Sequence, residues 1–199
     1  MALDTYSQLL ADVASFSNKT NLTALIPSFV RLFEARANRE LDTRQMVQTA
    51  TLSLAYEGYP LPARFGGVRS FRIEGSPAVQ LAYAKPEEFD TAFGTGRPYR
   101  YTITDQIVLD PVPDAAYSAR LRYRELLEPL SVANPTNWLL TNHPDAYLYG
   151  TLHQLWLYIR FDEEIAKAAP MVAFILGQIN EDDKRQAYPS TLNASARAI

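Results

Sequence analysis

The chain has 199 residues, of which 47% are hydrophobic and 12% aromatic, a composition that excludes a disordered chain and suits one domain or a compact pair. It contains no cysteine, which excludes disulfides, thiolate zinc sites and cysteine nucleophiles. The net charge is -3, no segment carries a strong basic excess, and no apolar run approaches the roughly 18 residues of a membrane helix, so neither a dedicated nucleic-acid binder nor a membrane partner is expected.

Two helices are predicted at the N-terminal end. The first spans Asp4 to Ser15, where Asp4 or Thr5 can cap it and apolar residues follow at helical spacing. The second lies near Thr23 to Asp42. Its apolar stripe consists of Leu22, Ile26, Phe29, Phe33, Ala37 and Leu41. Because proline is tolerated only near the first turn, Pro27 predicts a start close to Ile26.

A β-rich block follows over residues 45–127, which are rich in Thr, Val, Ile, Tyr and Phe and are interrupted by Pro and Gly. Strands are predicted at VRSFRI and VQLAY, a hairpin at YRYTI and QIVL, and a short helical turn at KPEEFDTAF. The clearest strand is AYSARLRYRE. Alternation places Tyr117, Ala119, Leu121 and Tyr123 on one face and Ser118, Arg120, Arg122 and Arg124 on the other.

Helical spacing returns at Pro144, which suits the first position of a helix that runs to about Phe161. This helix is apolar nearly all round, so it is either a central core helix or a core helix that also meets another chain. A last helix is predicted from about Asp162 to Tyr188, and Pro170 inside it predicts a kink.

The order of helices, strands and helices predicts an α+β fold. A helical bundle formed by the N- and C-terminal helices, residues 1–44 and 144–199, is expected to carry an inserted β-rich region of antiparallel strands, residues 45–143, which includes a connecting loop.

One segment, NPTNWLLTNHPDAYLYG, places a bulky apolar triplet between two proline turns. The triplet is Trp138, Leu139 and Leu140, and the sequence predicts a loop there. An active site, a docking site or a packed junction between two kinds of structure would each account for it.

No catalytic motif is present, and no catalytic residue, metal ligand or cofactor is predicted. His143 is interpreted as a helix-cap residue and His153 as a packed or interfacial one. Two functions remain as alternatives to a purely structural protein: a small hydrolase that uses scattered carboxylates such as Glu87, Glu88 or Asp110, and a monomeric DNA-binding or regulatory module.

Two features indicate interaction surfaces. Arg120, Arg122 and Arg124 lie on one strand face, where like charges oppose each other unless acids or a partner lie opposite, so they are candidate interface residues. In the apolar helix, Tyr147, Trp156 and Tyr158 are candidate interface residues that pack between neighbouring helices.

Four segments in this order resemble the adaptor (head-to-tail connector) proteins of tailed bacteriophages, which are similar to tail tubular or gatekeeper-type proteins. They are LTALIPSFVRLFEARANREL, LPARFGGVRSFRI, RPYRYTITDQIVLDPVPDAAYSARLRYRELLEPLSVANPTNWLLTNHPDAYLYGTL and INEDDKRQAYP. The resemblance implies a structural virion protein, not an enzyme, at the head-tail interface, assembled in the host cytoplasm into a homo-oligomeric ring, usually of twelve. Its implied partners are the portal protein, the tail nozzle or other tail proteins, and double-stranded DNA that passes non-specifically through the channel during genome ejection.

The resemblance also bears on individual residues. It implies that Trp138, Leu139 and Leu140 form a structural junction between the β-rich part and the helices, and that the polar tail reaches the portal. The candidate portal-binding residues of that tail are Tyr188, Leu192, Arg197 and Ile199. A channel through which DNA slides is expected to have a neutral or acidic lumen.

Overall fold

The structure, a computed structural model, describes residues 3–89 and 94–187, and it divides into two compact units. A helical unit contains the chain up to Gln45 and again from Leu127, and a β unit contains Met46–Leu126. Five α-helices and antiparallel sheets confirm the mixed α+β class. Within the described residues, none of the helices combines the length and the apolar character that crossing a membrane would require.

The helical unit contains helices α1 (Tyr6–Ser17), α2 (Ile26–Glu40), α3 (Trp138–Asn142), α4 (Pro144–Ile159) and α5 (Asp162–Ala187). A 3-10 helix, Thr20–Leu25, leads into α2, which starts at Ile26 with Pro27 in its first turn, as predicted. Helix α1 starts two residues later than predicted because Thr5 and Gln8 form a capping box. Helix α5 continues without a break through Pro170.

The apolar stripe predicted for α2 is buried, and it faces a core to which α1, α4 and α5 contribute. Phe33 of α2 and Tyr147 of α4 are both fully buried, with ring centroids 5.2 Å apart in an edge-to-face arrangement. Their contact brings α2 and α4 close together, and Gly150 of α4 lies directly against the Phe33 ring.

The end of α5 is bonded to the chain that follows α2. The Asn180 side chain donates to the Glu40 carbonyl at 2.9 Å and accepts from the Asp42 amide at 2.9 Å. One turn further on, the Asp183 carboxylate accepts from the Arg44 amide at 3.1 Å and from its Nε at 3.0 Å. Side chains of the last described helix therefore fix a segment about 140 positions earlier in the chain.

The described residues of the β unit form ten strands, of which four are only two residues long. They are β1 (Val47–Leu54), β2 (Gly58–Pro60), β3 (Phe65–Ile73), β4 (Val79–Gln80), β5 (Ala82–Tyr83), β6 (Thr95–Gly96), β7 (Arg100–Ile103), β8 (Gln106–Asp110), β9 (Val112–Pro113) and β10 (Tyr117–Glu125). A 3-10 helix, Pro86–Phe89, occupies the predicted helical turn.

Two four-stranded sheets form most of this unit. The first has the order β1-β10-β3-β4 and is antiparallel throughout. The second has the order β2-β8-β7-β5; it contains the predicted β7–β8 hairpin, and its β5–β7 pair is parallel. Strands β6 and β9 form a separate parallel pair. The segment VQLAY is divided at Leu81, so that β4 and β5 belong to different sheets.

One apolar cluster joins the inner faces of the two sheets. It consists of Leu54, Phe71, Ile73, Leu81, Tyr101, Ile107, Leu109, Ala119, Leu121 and Tyr123. The predicted alternation in β10 is confirmed, because Ala119, Leu121 and Tyr123 belong to this cluster. The opposite face of the first sheet is therefore left to polar and charged side chains.

Candidate interaction surfaces

The apolar triplet lies in helix α3, so the prediction of a loop is wrong. The Asn137 side chain caps this helix, since its Oδ1 accepts a hydrogen bond from the Leu140 amide at 2.9 Å. Leu139 and Leu140 are fully buried, and Trp138 is partly buried. This burial accounts for the apolar triplet without a binding or catalytic role for it.

Asn137 also begins a chain of polar contacts that leads into the core of the helical unit. Its Nδ2 donates to the Glu128 carbonyl at 2.8 Å and to the Tyr147 hydroxyl at 2.6 Å. The Tyr147 hydroxyl donates to Glu34 of α2 at 3.1 Å, and the same carboxylate oxygen accepts from the Leu130 amide at 2.8 Å. The segment between the last strand and α3 is thereby fixed to α2 and α4 inside the helical unit.

Tyr147, a candidate interface residue, lies inside the helical unit. Its side chain has no exposed surface and is surrounded by the unit's own residues. Burial, followed by the charge of Glu34, raises the pKa of its hydroxyl far above the ordinary value, so the hydroxyl remains a donor. Sequence periodicity could not predict that Tyr147 is a core residue, because the pattern of a helix that is apolar all round does not reveal which face points inward.

Glu34 is the buried acid of this network. Burial raises its pKa above the ordinary glutamate value, and the hydrogen bonds from Leu130 and Tyr147 offset part of the rise. A group whose folded pKa is raised contributes stability that is fully present below its unfolded pKa and is lost as pH rises through the folded pKa. The folded state therefore gains stability relative to the unfolded state as Glu34 takes up a proton.

Replacing Glu34 with Gln is expected to remove this pH dependence. The Gln oxygen can still accept both hydrogen bonds, but the side chain carries no charge at any pH. We expect the wild-type free energy of unfolding to rise relative to that of Glu34→Gln as pH falls from the raised folded value to the ordinary glutamate pKa.

Urea unfolding of both proteins over that pH range measures the difference. Tryptophan fluorescence is a suitable signal because both tryptophans, Trp138 and Trp156, lie in the helical unit. A difference that does not change with pH would contradict the assignment of the raised pKa to Glu34. The control is Glu181→Gln, because Glu181 is exposed and its pKa is lowered, whereas that of Glu34 is raised.

The end of α4 presents apolar side chains at the surface. Trp156 is partly exposed, Leu157 is 45% exposed, and Tyr158 is 59% exposed although its ring lies 5.5 Å from that of Phe29. Phe161, Met171 and Phe174, at the start of α5 and along it, are also exposed. Exposed aromatic and methionine side chains of this kind are enriched in protein–protein interfaces.

The two histidines lie at the start of helix α4 and within it. His143 stands at the N-cap position of α4, but its side chain makes no capping hydrogen bond. His153 is buried in α4, and burial, followed by the charge of Arg36, lowers its pKa.

The three predicted arginines of β10 have different surroundings. Arg120 forms an ion pair with Glu74 at 3.0 Å. Arg122 is exposed and forms no ion pair with any described residue. Arg124 is partly buried, and burial, followed by the charge of Arg69, lowers its pKa.

Sequence reasoning missed the arginines of the neighbouring strand. Arg120 pairs across the sheet with Arg72 of β3, and Arg72 lies 3.4 Å from the same Glu74 carboxylate. The alternation in VRSFRI was a usable signal, since it places Arg72 on the face opposite Phe71 and Ile73.

The carboxylates considered for a hydrolase have separate environments. Glu87 and Glu88 are exposed in the 3-10 helix. Asp110 is buried and forms an ion pair with Arg100. Among the residues that the structure describes, no group of three or more histidines and acids could hold a metal ion.

The candidate portal-binding residues Tyr188, Leu192, Arg197 and Ile199 lie outside the described residues.

Comparison with known proteins gives one positive finding. The family model described as SU10 adaptor protein matches residues 4–195, nearly the whole chain. No curated protein matches the chain significantly.

Proposed function

The chain belongs to this family of phage head-tail adaptor proteins, and we propose that it is a ring subunit that joins the portal to the tail and extends the DNA channel. The single observation that carries this proposal is the family match over residues 4–195. Adaptors are structural proteins that assemble with other virion proteins, so the function resides in surfaces and not in a catalytic centre. The proposed ring contains twelve copies.

The proposed architecture assigns the helices of both chain ends, residues 1–44 and 144–199, to a bundle that holds the subunit in the ring. The β-rich region, expected over residues 45–143 and formed in the structure by Met46–Leu126, would contribute to the wall or contact neighbouring subunits. Trp138, Leu139 and Leu140 are proposed as the apolar junction where the chain returns from this region to the helices; the burial of Leu139 and Leu140 supports a packing role.

The proposed contacts between subunits include Trp156 and Tyr158. The exposure of Leu157 and Phe161, which are close to Tyr158 in sequence, and of Met171 and Phe174 further along α5 supports apolar contact of the helical unit with another chain. The proposed contact with the portal is made by the tail from Tyr188 to Ile199. The protein would thus reside at the head-tail interface of the virion after assembly in the host cytoplasm and would remain there during genome ejection.

The test is native mass spectrometry or negative-stain imaging of the purified protein with and without the portal ring of its virus. We expect stoichiometric rings on the portal and twelve subunits per ring. A monomer in solution would not contradict this, because the portal can act as the template. A folded protein that fails to bind the portal would overturn the proposal.

The Tyr158→Ala variant is expected to impair ring formation on the portal while leaving the subunit folded. More than half of the Tyr158 side chain is exposed, so its removal takes little from the core of the free subunit. Tyrosine is enriched among the hot-spot residues of interfaces, and truncating a hot-spot residue costs about 2 kcal/mol or more of binding energy.

The matched control is Tyr56→Ala, because Tyr56 is 72% exposed but lies in the β unit. Ring occupancy counted by imaging measures both variants, and circular dichroism verifies folding. Equal ring occupancy in the two variants would remove Tyr158 from the interface.

A further inference from the structure

The outer face of the first sheet combines arginines with hydroxyl side chains. Arg120 and Arg122 of β10 lie in the centre, and Arg72 of β3 is the cross-strand neighbour of Arg120. The neighbouring side chains on the same face are Thr49, Thr51, Ser53, Ser70 and Ser118. We call this set the arginine face.

The arginine face has little opposing charge. Glu74 is the acid that contacts it, and this single carboxylate approaches both Arg72, at 3.4 Å, and Arg120, at 3.0 Å. Arg122 forms no ion pair with a described residue.

The excess of positive charge is confined to the arginine face. The β unit contains nine basic and nine acidic residues, so it is neutral as a whole. The pairing of β3 with β10 therefore produces a face on which two arginines share one acid and a third, Arg122, has no ion pair with a described residue, and the overall charge of the chain conceals it.

The chemistry of the face distinguishes between kinds of partner. Protein–protein interfaces are enriched in arginine together with aromatic residues and methionine and are depleted in serine, but the residues that alternate with Ala119 and Leu121 here are serine and arginine, without an aromatic or methionine anchor. Single-stranded nucleic acid is bound by stacking on aromatic rings, and this face includes none. Guanidinium groups and hydroxyls, spaced about 7 Å along a strand and about 4.8 Å between strands, suit the phosphate oxygens of a duplex.

We propose that the arginine face binds the sugar-phosphate backbone of double-stranded DNA without sequence preference. Arg72, Arg120 and Arg122 contact phosphates, and the flanking hydroxyls donate to the same oxygens. Because only about three phosphates are neutralised, the binding is weak and DNA exchanges along the face at physiological salt. The proposal goes beyond the ring function and concerns the free subunit, so it stands or fails independently of ring assembly.

The test is fluorescence anisotropy of a short labelled DNA duplex as a function of salt. For three phosphate contacts, the association constant is expected to fall about 40-fold between about 50 and 200 mM salt. In the Arg120→Gln/Arg122→Gln double variant, one contact remains, and the same change of salt is expected to weaken binding only about threefold.

Two further variants test whether DNA binding depends on the position of the arginines and on the opposing acid. The Arg39→Gln/Arg160→Gln double variant removes the same charge from exposed positions in the helical unit, and it is expected to keep the salt dependence of the wild type. Glu74→Gln releases Arg72 and Arg120 from their shared acid, so it is expected to strengthen DNA binding about threefold at low salt.

Several outcomes would overturn the proposal. These are no binding at low salt, equal salt dependence of the two double variants, or weaker binding by Glu74→Gln. If polyglutamate displaces the duplex more effectively than unlabelled duplex does, the face binds an acidic protein surface and not DNA. Circular dichroism of each variant verifies that the fold is retained.

Discussion

Gly150→Ala is expected to destabilise the helical unit by about 3 kcal/mol, although alanine is the better helix former by about 1 kcal/mol. A Cβ atom at this position would lie 2.1 Å from Cδ2 and 2.3 Å from Cε2 of the Phe33 ring. Phe33 is fully buried and packs edge-to-face against Tyr147, so its ring cannot withdraw without displacing the core. Helices α2 and α4 must therefore separate.

A second glycine provides the control for this variant. Gly177 lies in helix α5, and a Cβ atom added there would meet no atom within 4 Å. Gly177→Ala is expected to stabilise the protein by up to about 1 kcal/mol. Urea unfolding followed by tryptophan fluorescence measures both variants, and Phe33→Leu is expected to recover part of the loss in Gly150→Ala. Equal stability of the two alanine variants would show that α2 and α4 are not in close contact at Gly150.

Phe71→Ala is expected to cost the β unit about 3–5 kcal/mol. Phe71 has no exposed surface, belongs to the cluster that joins the two sheets, and lies 5.3 Å from the ring of Tyr101 in an edge-to-face arrangement. Its truncation leaves a cavity between the sheets, because a strand that is paired on both sides cannot move inward to fill it.

Hydrogen exchange of the β10 backbone amides measures this loss, since β10 pairs with β3 directly. Phe65→Ala is the matched control: the same truncation in the same strand removes a partly buried ring, and we expect a loss below about 2 kcal/mol. A loss of protection in Phe71→Ala no greater than that in Phe65→Ala would contradict the packing of the two sheets against each other.

The sequence predicted the elements that depend on local signals. Pro27 and Pro144 marked the starts of α2 and α4, and the alternation in AYSARLRYRE predicted the inner and outer faces of β10. These predictions are confirmed because proline geometry and strand pleating act within a few residues of chain, whatever the tertiary context.

Features that depend on distant residues were missed. Helix α3 is only five residues long, too short for a periodic signal, and a single Asn137 cap and burial of two leucines define it. The VQLAY segment changes sheets because the Leu81 amide bonds to Phe71 and the Ala82 amide to Tyr99. Similarly, the burial of Tyr147 depends on Glu34, which lies 113 residues away and outside any apolar stripe.

For the interaction surfaces, the sequence indicated the arginines of β10 but not their neighbours. Nothing local predicts that β3 lies beside β10, so Arg72 and the shared acid Glu74 could not be assigned to the same face. The apolar helix α4 was predicted as a whole, but its division into a buried Tyr147 and an exposed Tyr158 required the packing of α2 against it.

The hydrogen bonds from Asn180 and Asp183 to the segment after α2 have a consequence for the order of folding during synthesis. The β unit is contiguous in sequence, so all of its strands have been synthesised before α4 is made. The helical unit, in contrast, cannot complete the contacts of Glu40–Arg44 until α5 emerges, about 140 residues later. The apolar stripe of nascent α2 therefore stays uncovered by the C-terminal helices until α4 and α5 have been made.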